Sequence, residues 1–151
     1  MRITKHSDYS LRVLMYLAAH PERSCTIKEI SESYDISQNH LMKVVQQLAQ
    51  LGFAKTVRGK NGGIWLGEPA ENIFVGDVLN QLGEGSELVE CISEEANCKI
   101  TSLCELKHVF AKAQRAFFQT LNEYSLADIL GDRAAVATLL QLSPKALKAE
   151  T

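Results

Sequence analysis

Three cysteines stand close together in the second half of the chain. Cys91, Cys98 and Cys104 fall within fourteen residues, in the spacing C-x6-C-x5-C. Thiolates hold iron–sulfur clusters and structural zinc. This spacing matches neither ferredoxin pattern and lacks the C-x2-C pairs of common zinc sites. The cysteines therefore predict a metal or redox centre, and leave open an iron–sulfur cluster, zinc, thiol redox sensing or simple burial.

The residues around the third cysteine predict where it lies in a helix. Ser102 and Glu105 have capping-box spacing, which predicts that Cys104 sits in the first turn of a helix from Leu103 to about Asn122. Exposed amides there lower the pKa of a thiol and favour an anionic group. Cys25 is far from the other cysteines and is interpreted as a bystander.

Residues 26–52 predict two helices joined by a tight turn. Thr26 and Glu29 have capping-box spacing, Tyr34 to Ile36 break the first helix, and Ser37 caps the second. The second helix has an apolar stripe formed by Leu41, Val44, Val45, Leu48 and Leu51. Six polar residues are predicted to point outward from the opposite face: Gln38, Asn39, His40, Lys43, Gln46 and Gln47. Gly52 supplies a left-handed stop. A short helix, a tight turn and a longer amide-rich helix are typical of a helix-turn-helix.

The next residues predict a β-hairpin. Residues 53–58 form a strand, residues 59–63 supply the turn with Asn61–Gly62 as the strongest hairpin signal, and residues 64–66 return. A helix-turn-helix followed by a hairpin is a winged helix, whose wing carries Lys55 and other polar residues suited to phosphate or the narrow minor groove. The candidate DNA-contacting residues are Thr26, Ser37, Gln38, Asn39, His40, Lys43, Arg58, Lys60 and Asn61.

Further helices are predicted on both sides of this module. Residues 7–20 form a first helix with Ser7 as N-cap, Asp8 in the first turn and Pro21 after its end. Residues 75–82 form a short helix, residues 125–130 a capping helix, and residues beyond about 141 a frayed tail. The long helix carries a coiled-coil-like seam, which predicts pairing with a second copy into a homodimer. The seam residues are Leu106, Phe110, Ala113 and Phe117.

Composition and charge agree with a DNA-binding module joined to a different function. The net charge is -2, but residues 1–70 hold nine Lys/Arg against six Asp/Glu, and residues 71–151 hold seven against twelve. The opening residues lack the pattern of a signal peptide, and no apolar run suits a membrane span, so we expect a cytoplasmic protein. No nucleotide-binding motif or paired catalytic acid and base suggests an enzyme.

The chain resembles the iron–sulfur winged-helix regulators of the IscR kind, and within them the nitric-oxide-sensing repressors. The likeness covers roughly residues 1–130. It rests on TKHSDYSLRVLMYLA, ISQNHLMKVVQQL, VRGKNGGIWLG, the three cysteines and YSLADIL. It implies a mainly α fold with a small β-hairpin wing, divided into a DNA-binding domain at 1–83, a cluster loop at 84–104, dimerisation and capping helices at 102–130, and a tail at 131–151.

The resemblance also implies a homodimer with one iron–sulfur cluster per subunit, either [4Fe–4S] or [2Fe–2S]. Cys91, Cys98 and Cys104 would be ligands, and Asp8 of the partner subunit would complete the site. IscR-like members instead use a histidine three residues after the third cysteine, where this chain has Lys107, with His108 one residue later. Related chains often carry Arg where this one has Gln38, which makes a guanine contact there less expected.

The implied function is a repressor that releases operator DNA of nitric-oxide detoxification genes when nitric oxide reaches the cluster. The alternatives are an iron–sulfur-status regulator of the IscR kind, and a repressor that depends on thiol chemistry or zinc.

Overall fold

The computed structural model describes residues 3–84 and 97–141. Those residues form seven α-helices and one antiparallel hairpin, which confirms the predicted fold class. Short 3-10 turns lie before α4 and before α5. The helices are α1 Lys5–Ala19, α2 Ile27–Tyr34, α3 Gln38–Gln50, α4 Val75–Gln81, α5 Glu105–Leu121, α6 Leu126–Leu130 and α7 Arg133–Gln141, and the strands are β1 Ala54–Val57 and β2 Gly63–Leu66.

Helix α1 begins earlier than the sequence predicted. Its N-cap is Thr4, whose hydroxyl accepts a hydrogen bond from the Ser7 amide at 3.2 Å, and Ser7 itself is buried inside the helix. Both residues are good caps by type, and the apolar pattern of the helix starts only after them, so the sequence could not choose between them. The helix ends as predicted, just before His20 and Pro21.

Helices α2 and α3 form the predicted helix-turn-helix. Thr26 caps α2 by accepting a hydrogen bond from the Glu29 amide at 3.2 Å, and Ser37 caps α3 by accepting one from the His40 amide at 3.3 Å. Between the helices Asp35 adopts the left-handed conformation, with φ 55° and ψ 48°, which turns the chain within three residues. Helix α3 packs against both α1 and α2.

The hairpin forms where it was predicted, but with a longer loop. Val57 pairs with Gly63, so residues 58–62 connect the strands and Asn61–Gly62 is not a two-residue turn. The positive φ angles fall instead on Gly59 (108°) and Gly63 (155°). A Cβ on Gly63 would lie 2.6 Å from the Ser24 Cβ, so glycine lets the hairpin pack against the connection before α2.

Helix α5 meets the rest of the chain at one close approach. A Cβ on Gly76 of α4 would lie 2.4 Å from the Asn122 Oδ1 atom and 2.6 Å from the Phe118 carbonyl oxygen. The Asn122 side-chain amide donates a hydrogen bond to Asp77 Oδ1 at 2.8 Å. The absence of a side chain on Gly76 therefore brings α4 and α5 into contact.

The hydrophobic core lies among α1, α2, α3, α4 and α6, and α5 contributes no buried residue to it. None of the seventeen residues of α5 is buried, so few contacts within the described part of one chain stabilise that helix. The large core side chains with almost no exposure are Val13, Leu14, Leu17, Ile30, Leu41, Val44, Leu48, Ile73, Val78, Leu79 and Leu126.

Helix α7 occupies part of the stretch for which the sequence predicted only a tail. Its amide at Ala135 donates to Asp132 Oδ1 at 3.0 Å, and Val136 and Leu140, four residues apart on one face, pack against the core. This short apolar face was too weak a pattern to recognise in advance. The frayed tail predicted beyond 141 lies outside the described residues. Among the helices that the structure describes, none is long and apolar enough to cross a membrane.

Candidate nucleic-acid interface and cysteine site

Helix α3 has a core side and an open side. Leu41, Val44, Val45 and Leu48 are buried on the core side, as predicted. The side chains of Gln38 and Asn39 make no hydrogen bond to any described residue, so their amide groups are available to a ligand. The exposed residues on the open side are Gln38, Asn39, Met42, Lys43 and Gln46.

Helix α1 contacts a third side of α3, which lies between the core side and the open side. The His6 Nε2 atom lies 2.5 Å from Gln47 Oε1, where it donates a hydrogen bond to the amide oxygen. The Tyr9 ring meets the His40 ring edge-on, with centroids 4.8 Å apart. Gln47 was predicted to face outward, which is wrong, since it is half-buried against α1. At about 100° per residue, positions 40 and 47 share one side of the helix, away from the centre of the open side.

The hairpin presents unpaired cations to solvent. Lys55, Arg58 and Lys60 are exposed, and none has an acidic partner within the described residues. Asn61 is exposed beside them. Arg58 and Lys60 lie in the loop at the tip of the hairpin. Unpaired cations on a projecting loop are suited to phosphate contacts, which is the predicted role.

The wing is held in place by the residue before α2. The Cys25 amide donates to the Ile64 carbonyl at 2.9 Å, and the Ile64 amide donates to the Cys25 carbonyl at 2.8 Å. Burial, followed by the charge of Glu29, raises the pKa of the Cys25 thiol to about 12. A buried thiol of that pKa is protonated at neutral pH and inert. This agrees with the interpretation of Cys25 as a bystander to the metal site.

Cys98 and Cys104 are free thiols, the first exposed and the second half-buried, whereas Cys91 lies outside the described residues. The predicted capping box of Ser102 with Glu105 does not form. Cys104 is itself the N-cap of α5, so the helix begins two residues later than predicted, and no side chain caps it. The reason is a 3-10 turn at Thr101–Leu103, which takes Ser102 out of capping position.

The chemistry of these donors fits an iron–sulfur cluster or another soft metal centre. Both thiols are free and reachable among the described residues, and no side chain caps the first-turn amides of α5 next to Cys104. Within residues 3–84 and 97–141 no three His, Cys, Asp or Glu side chains come together as a metal site. A complete ligand set therefore needs more than the described residues of one chain.

Asp8 lies in the first turn of α1, where it forms an ion pair with Arg12 at 3.0 Å. Both side chains are about half exposed. The Arg12 guanidinium also lies over the rings of Tyr9 and Tyr34, at 5.9 and 5.8 Å. The structure thus places Asp8 at the surface of α1, paired with Arg12 of the same helix.

Glu84 ties the start of the cysteine segment to α1. Its Oε1 atom accepts hydrogen bonds from the Thr4 amide at 2.9 Å and from the Thr4 hydroxyl at 2.5 Å. Burial raises the pKa of Glu84, but hydrogen bonds from Ser7 and Thr4 outweigh it and leave the pKa below its ordinary value. Glu84 is the last described residue before the stretch that contains Cys91. The N-cap of α1 is therefore hydrogen-bonded to the residue at which the first described range, residues 3–84, ends.

The 3-10 turn before α5 and the first half of α5 expose a row of apolar side chains. Leu103 of the turn is 88% exposed, and Leu106 and Val109 of α5 are 58% and 60% exposed, while Phe110 and Phe117 are half-buried. Water contact of three large apolar side chains is unfavourable. This row overlaps the predicted dimerisation seam.

Four residues of this region were not singled out by the sequence analysis: His6, Tyr9, Met42 and Glu84. Helical spacing gave a signal for Met42, because position 42 falls on the polar side of α3. Nothing in the sequence linked Glu84 to Thr4, which are eighty residues apart.

A short helix, a tight turn, a helix with an open amide face and a basic hairpin together define a winged helix-turn-helix protein of the DNA-binding class. Comparison with known proteins agrees. A family model described as Rrf2, an iron-dependent transcriptional regulator, matches residues 3–132. The chain therefore belongs to the Rrf2 family of transcriptional regulators, and it is a regulator rather than an enzyme.

Individual relatives cover nearly the whole chain. The HTH-type transcriptional regulator NsrR of Bacillus licheniformis is 44% identical over 142 residues, which are 93% of this chain and 99% of that protein. The NsrR of Bacillus subtilis is 42% identical over 144 residues, 94% of this chain and 99% of that protein. Among solved structures, T. potens IscR is similar with a TM-score of 0.69 and 26% identity, over 98% of this chain and 96% of that one. The predicted resemblance is thus confirmed.

Proposed function

We propose that this chain is a dimeric operator-binding repressor that senses nitric oxide through an iron–sulfur cluster. The observation that carries the proposal is an open, amide-rich recognition helix in the same chain as two reachable thiols, of which Cys104 stands at an uncapped helix start. The membership in a family described as iron-dependent, and the 44% identity to a protein named NsrR, support it.

The ligands would be the thiolates of Cys91, Cys98 and Cys104, with Asp8 of the partner subunit as the fourth. When bound, the cluster would supply iron that nitric oxide can attack. Lys107 stands where IscR-like chains use histidine, and a lysine ammonium does not bind iron while it is protonated. A carboxylate from elsewhere is therefore the better-supported fourth donor.

Asp8 can change partners at low cost. Its pair with Arg12 is an exposed ion pair between residues four apart on one helix, and such pairs contribute about 0.3–0.5 kcal/mol. Breaking it to reach a site on the partner subunit therefore sacrifices little. Arg12 would keep its contacts with the Tyr9 and Tyr34 rings.

The first turns of α1 can transmit such a change to the DNA-reading helix. His6 and Tyr9 flank Asp8, and they contact Gln47 and His40 of α3. A shift of α1 would therefore change the support of α3 directly. A coupling of ~1–3 kcal/mol corresponds to a roughly 5–150-fold change in operator affinity.

Pairing of two chains through α5 would complete the molecule. The exposed row of Leu103, Leu106 and Val109 gains burial only against another apolar surface, and a second copy of α5 supplies one. Two recognition helices related by a two-fold axis read the two halves of a palindromic operator.

At the DNA, the amides of Gln38 and Asn39 would read the major groove, beside Lys43. Asparagine and glutamine pair bidentately with adenine, which favours an A·T-rich half-site. Thr26 and Ser37 are exposed caps at helix starts, where their neighbouring amides suit phosphate. Arg58, Lys60 and Asn61 would hold the wing to the backbone or the minor groove. His40 would read bases only from a position braced by Tyr9.

The test is an anaerobic absorption spectrum with iron and sulfide counts, followed by titration with nitric oxide while operator binding is measured. We expect a brown protein that bleaches and releases DNA. The number of iron and sulfide atoms per subunit distinguishes the two cluster types, because their ratio is the same in both.

Other outcomes would each overturn part of the proposal. A brown protein indifferent to nitric oxide would indicate an iron–sulfur-status regulator. A colourless protein containing zinc would indicate zinc or thiol chemistry. Equal operator affinity of cluster-loaded and cluster-free dimers would remove the cluster from control of DNA binding.

A further inference from the structure

Met42 is the apolar member of an otherwise polar surface. It is 50% exposed on the open side of α3, where the neighbouring exposed residues are amides and a lysine. At about 100° per residue, positions 38, 39, 42, 43 and 46 share an arc of about 140°, and position 42 lies between 38 and 46. Met42 therefore stands inside the reading surface, not at its margin.

The rest of α3 explains why this side chain is not part of the core. Leu41, Val44 and Leu48 fill the core side completely, and His40 and Gln47 are taken up by α1. The Met42 thioether is left pointing away from both. Half of its surface stays in water in one chain, so any further burial of it comes from what α3 binds.

We infer that Met42 reads the C5-methyl group of a thymine in the major groove. This inference rests on the proposed function as an operator-binding protein and names one of its specificity determinants. The thymine methyl is the apolar group that a base edge presents in the major groove, and apolar side chains contact it. Gln38 and Asn39 favour adenine, so the A·T pairs they select bring thymine methyls to the same surface.

The side chain suits this contact physically. Methionine is unbranched and polarizable, so it adapts to a small apolar group without a fixed shape. Its flanking amides satisfy the hydrogen-bonding atoms of the bases, while the thioether excludes water from the methyl. Met42 would thus favour thymine over cytosine on one strand, at a base pair whose adenine on the other strand is contacted by an amide side chain.

The test removes one methyl group at a time from the DNA. A binding sequence is selected from a pool of random duplexes with the native protein, and each thymine is then replaced singly by deoxyuridine. We expect one thymine in each half-site at which the replacement weakens binding about fourfold, the value for one buried methyl or methylene group at about 0.8 kcal/mol. In Met42→Ala the same replacement should have almost no effect.

Two further variants serve as controls. Met42→Leu keeps an apolar side chain and should keep most of the difference between thymine and deoxyuridine. Lys43→Ala should weaken binding to both duplexes and leave their ratio unchanged. Because position 42 is half exposed, all three variants should melt close to the native protein.

The outcomes separate the inference from the function on which it rests. If Met42→Ala retains the native thymine-to-deoxyuridine ratio, or if no thymine shows a methyl effect in the native protein, Met42 does not read a methyl group. If no sequence is selected from the pool at all, the proposed operator binding itself is wrong.

Discussion

The reading head (residues 3–84) buries its apolar side chains within one chain, whereas the arm (residues 97–121) leaves its own in water. The head contains helices with a fully buried stripe, such as Leu41, Val44 and Leu48 of α3. The arm contains a seventeen-residue helix with no buried side chain, and four large apolar residues of the arm are exposed: Ile100, Leu103, Leu106 and Val109. Their sequences are similarly amphipathic. The difference is that α1 and α2 cover the stripe of α3, whereas the described residues of one chain leave these side chains of the arm uncovered.

This contrast separates two kinds of stability. Packing of α3 against α1 and α2 holds the head together regardless of concentration. The arm can gain burial only when a further surface, or a metal held by its thiols, is added, and both kinds of gain depend on concentration. The head therefore offers a DNA-binding surface that is stable by itself, whereas the stability of the arm depends on what is added to it.

The largest effect we expect is the difference in unfolding free energy between two truncations, one in the head and one in the arm. Leu48→Ala removes a fully buried side chain from the head and should lower the free energy of unfolding by about 2–5 kcal/mol. Leu103→Ala removes an 88% exposed side chain from the arm and should change it by less than about 0.5 kcal/mol in dilute protein. Urea unfolding measures both.

The conservative variant Leu48→Met should cost less than about 1.5 kcal/mol, because it nearly conserves volume. At high protein concentration the Leu103→Ala loss should grow as the dimer populates. Equal losses in the two regions at low concentration would show that the contrast is wrong.

The second prediction concerns the arm as a dimer surface. Leu106→Glu places a charge in the apolar row and should convert the dimer to a monomer while the helical content stays unchanged, because Leu106 is already 58% exposed. Operator affinity should then fall about 100-fold, since two linked heads gain at least that factor over one. Light scattering after size exclusion measures the mass.

The control for this variant is Lys112→Glu, which adds negative charge to α5 outside the apolar row and should leave the dimer intact. If the Leu106→Glu protein remained a dimer with native operator affinity, the two chains would have to meet through another surface.

The sequence was sufficient for the head because its elements are local. Thr26 and Ser37 are caps within three residues of their partners, and the α3 stripe repeats at helical spacing, so both could be predicted. The N-cap of α1 was placed wrongly at Ser7, because Thr4 is fixed by Glu84 from eighty residues away. The half-burial of Gln47 likewise depends on His6 of another helix.

The sequence predicted less of the candidate metal site than of the head. The cysteine spacing predicted candidate donors but could not give the helix start, because the 3-10 turn before Cys104 is stabilised by hydrogen bonds from Thr101 to the Cys98 carbonyl. The roles of Asp8 and of the cysteines remain proposals that chemistry and resemblance support. No local pattern connects a residue in the first helix to a loop on another subunit.

The third prediction tests whether the arm holds the metal. Cys104→Ser should lose most of the bound iron and sulfide in anaerobic preparations, and with them the roughly 5–150-fold difference in operator affinity between loaded and unloaded protein. The head should fold normally, because Cys104 contributes nothing to its core. Iron analysis and operator titration provide the two measurements.

The matched control is Cys25→Ala. It removes a buried thiol of the head, so it should destabilise the fold and yet keep the native iron content. If Cys25→Ala lost the iron and Cys104→Ser kept it, the assignment of the metal to the arm would be reversed.

The fourth prediction concerns the wing. Lys60→Ala should weaken binding to all DNA sequences to a similar extent and reduce the slope of log affinity against log salt by about 1, because one phosphate contact is lost. Lys112→Ala, a cation of the arm, should change neither quantity. An unaltered salt slope in Lys60→Ala would remove that residue from the contacts.

The smallest effect should come from the hydrogen bonds between Thr4 and Glu84, which join the two ends of the head. Glu84→Gln keeps an oxygen acceptor for Thr4 but removes its charge, and should cost about 0.5 kcal/mol once solvent screening is allowed for. The pKa of Glu84 is lowered in the folded protein, so the carboxylate's contribution is complete at neutral pH and is lost as the pH falls through that pKa.

The stability difference between native protein and Glu84→Gln should therefore shrink between about pH 7 and about pH 3, where an ordinary glutamate is protonated. Glu123→Gln, at an exposed position, provides the control and should show a smaller difference at either pH. A difference that stayed constant over this range would mean that Thr4 is held by shape alone, and the head would then be independent of the charge at the start of the cysteine segment.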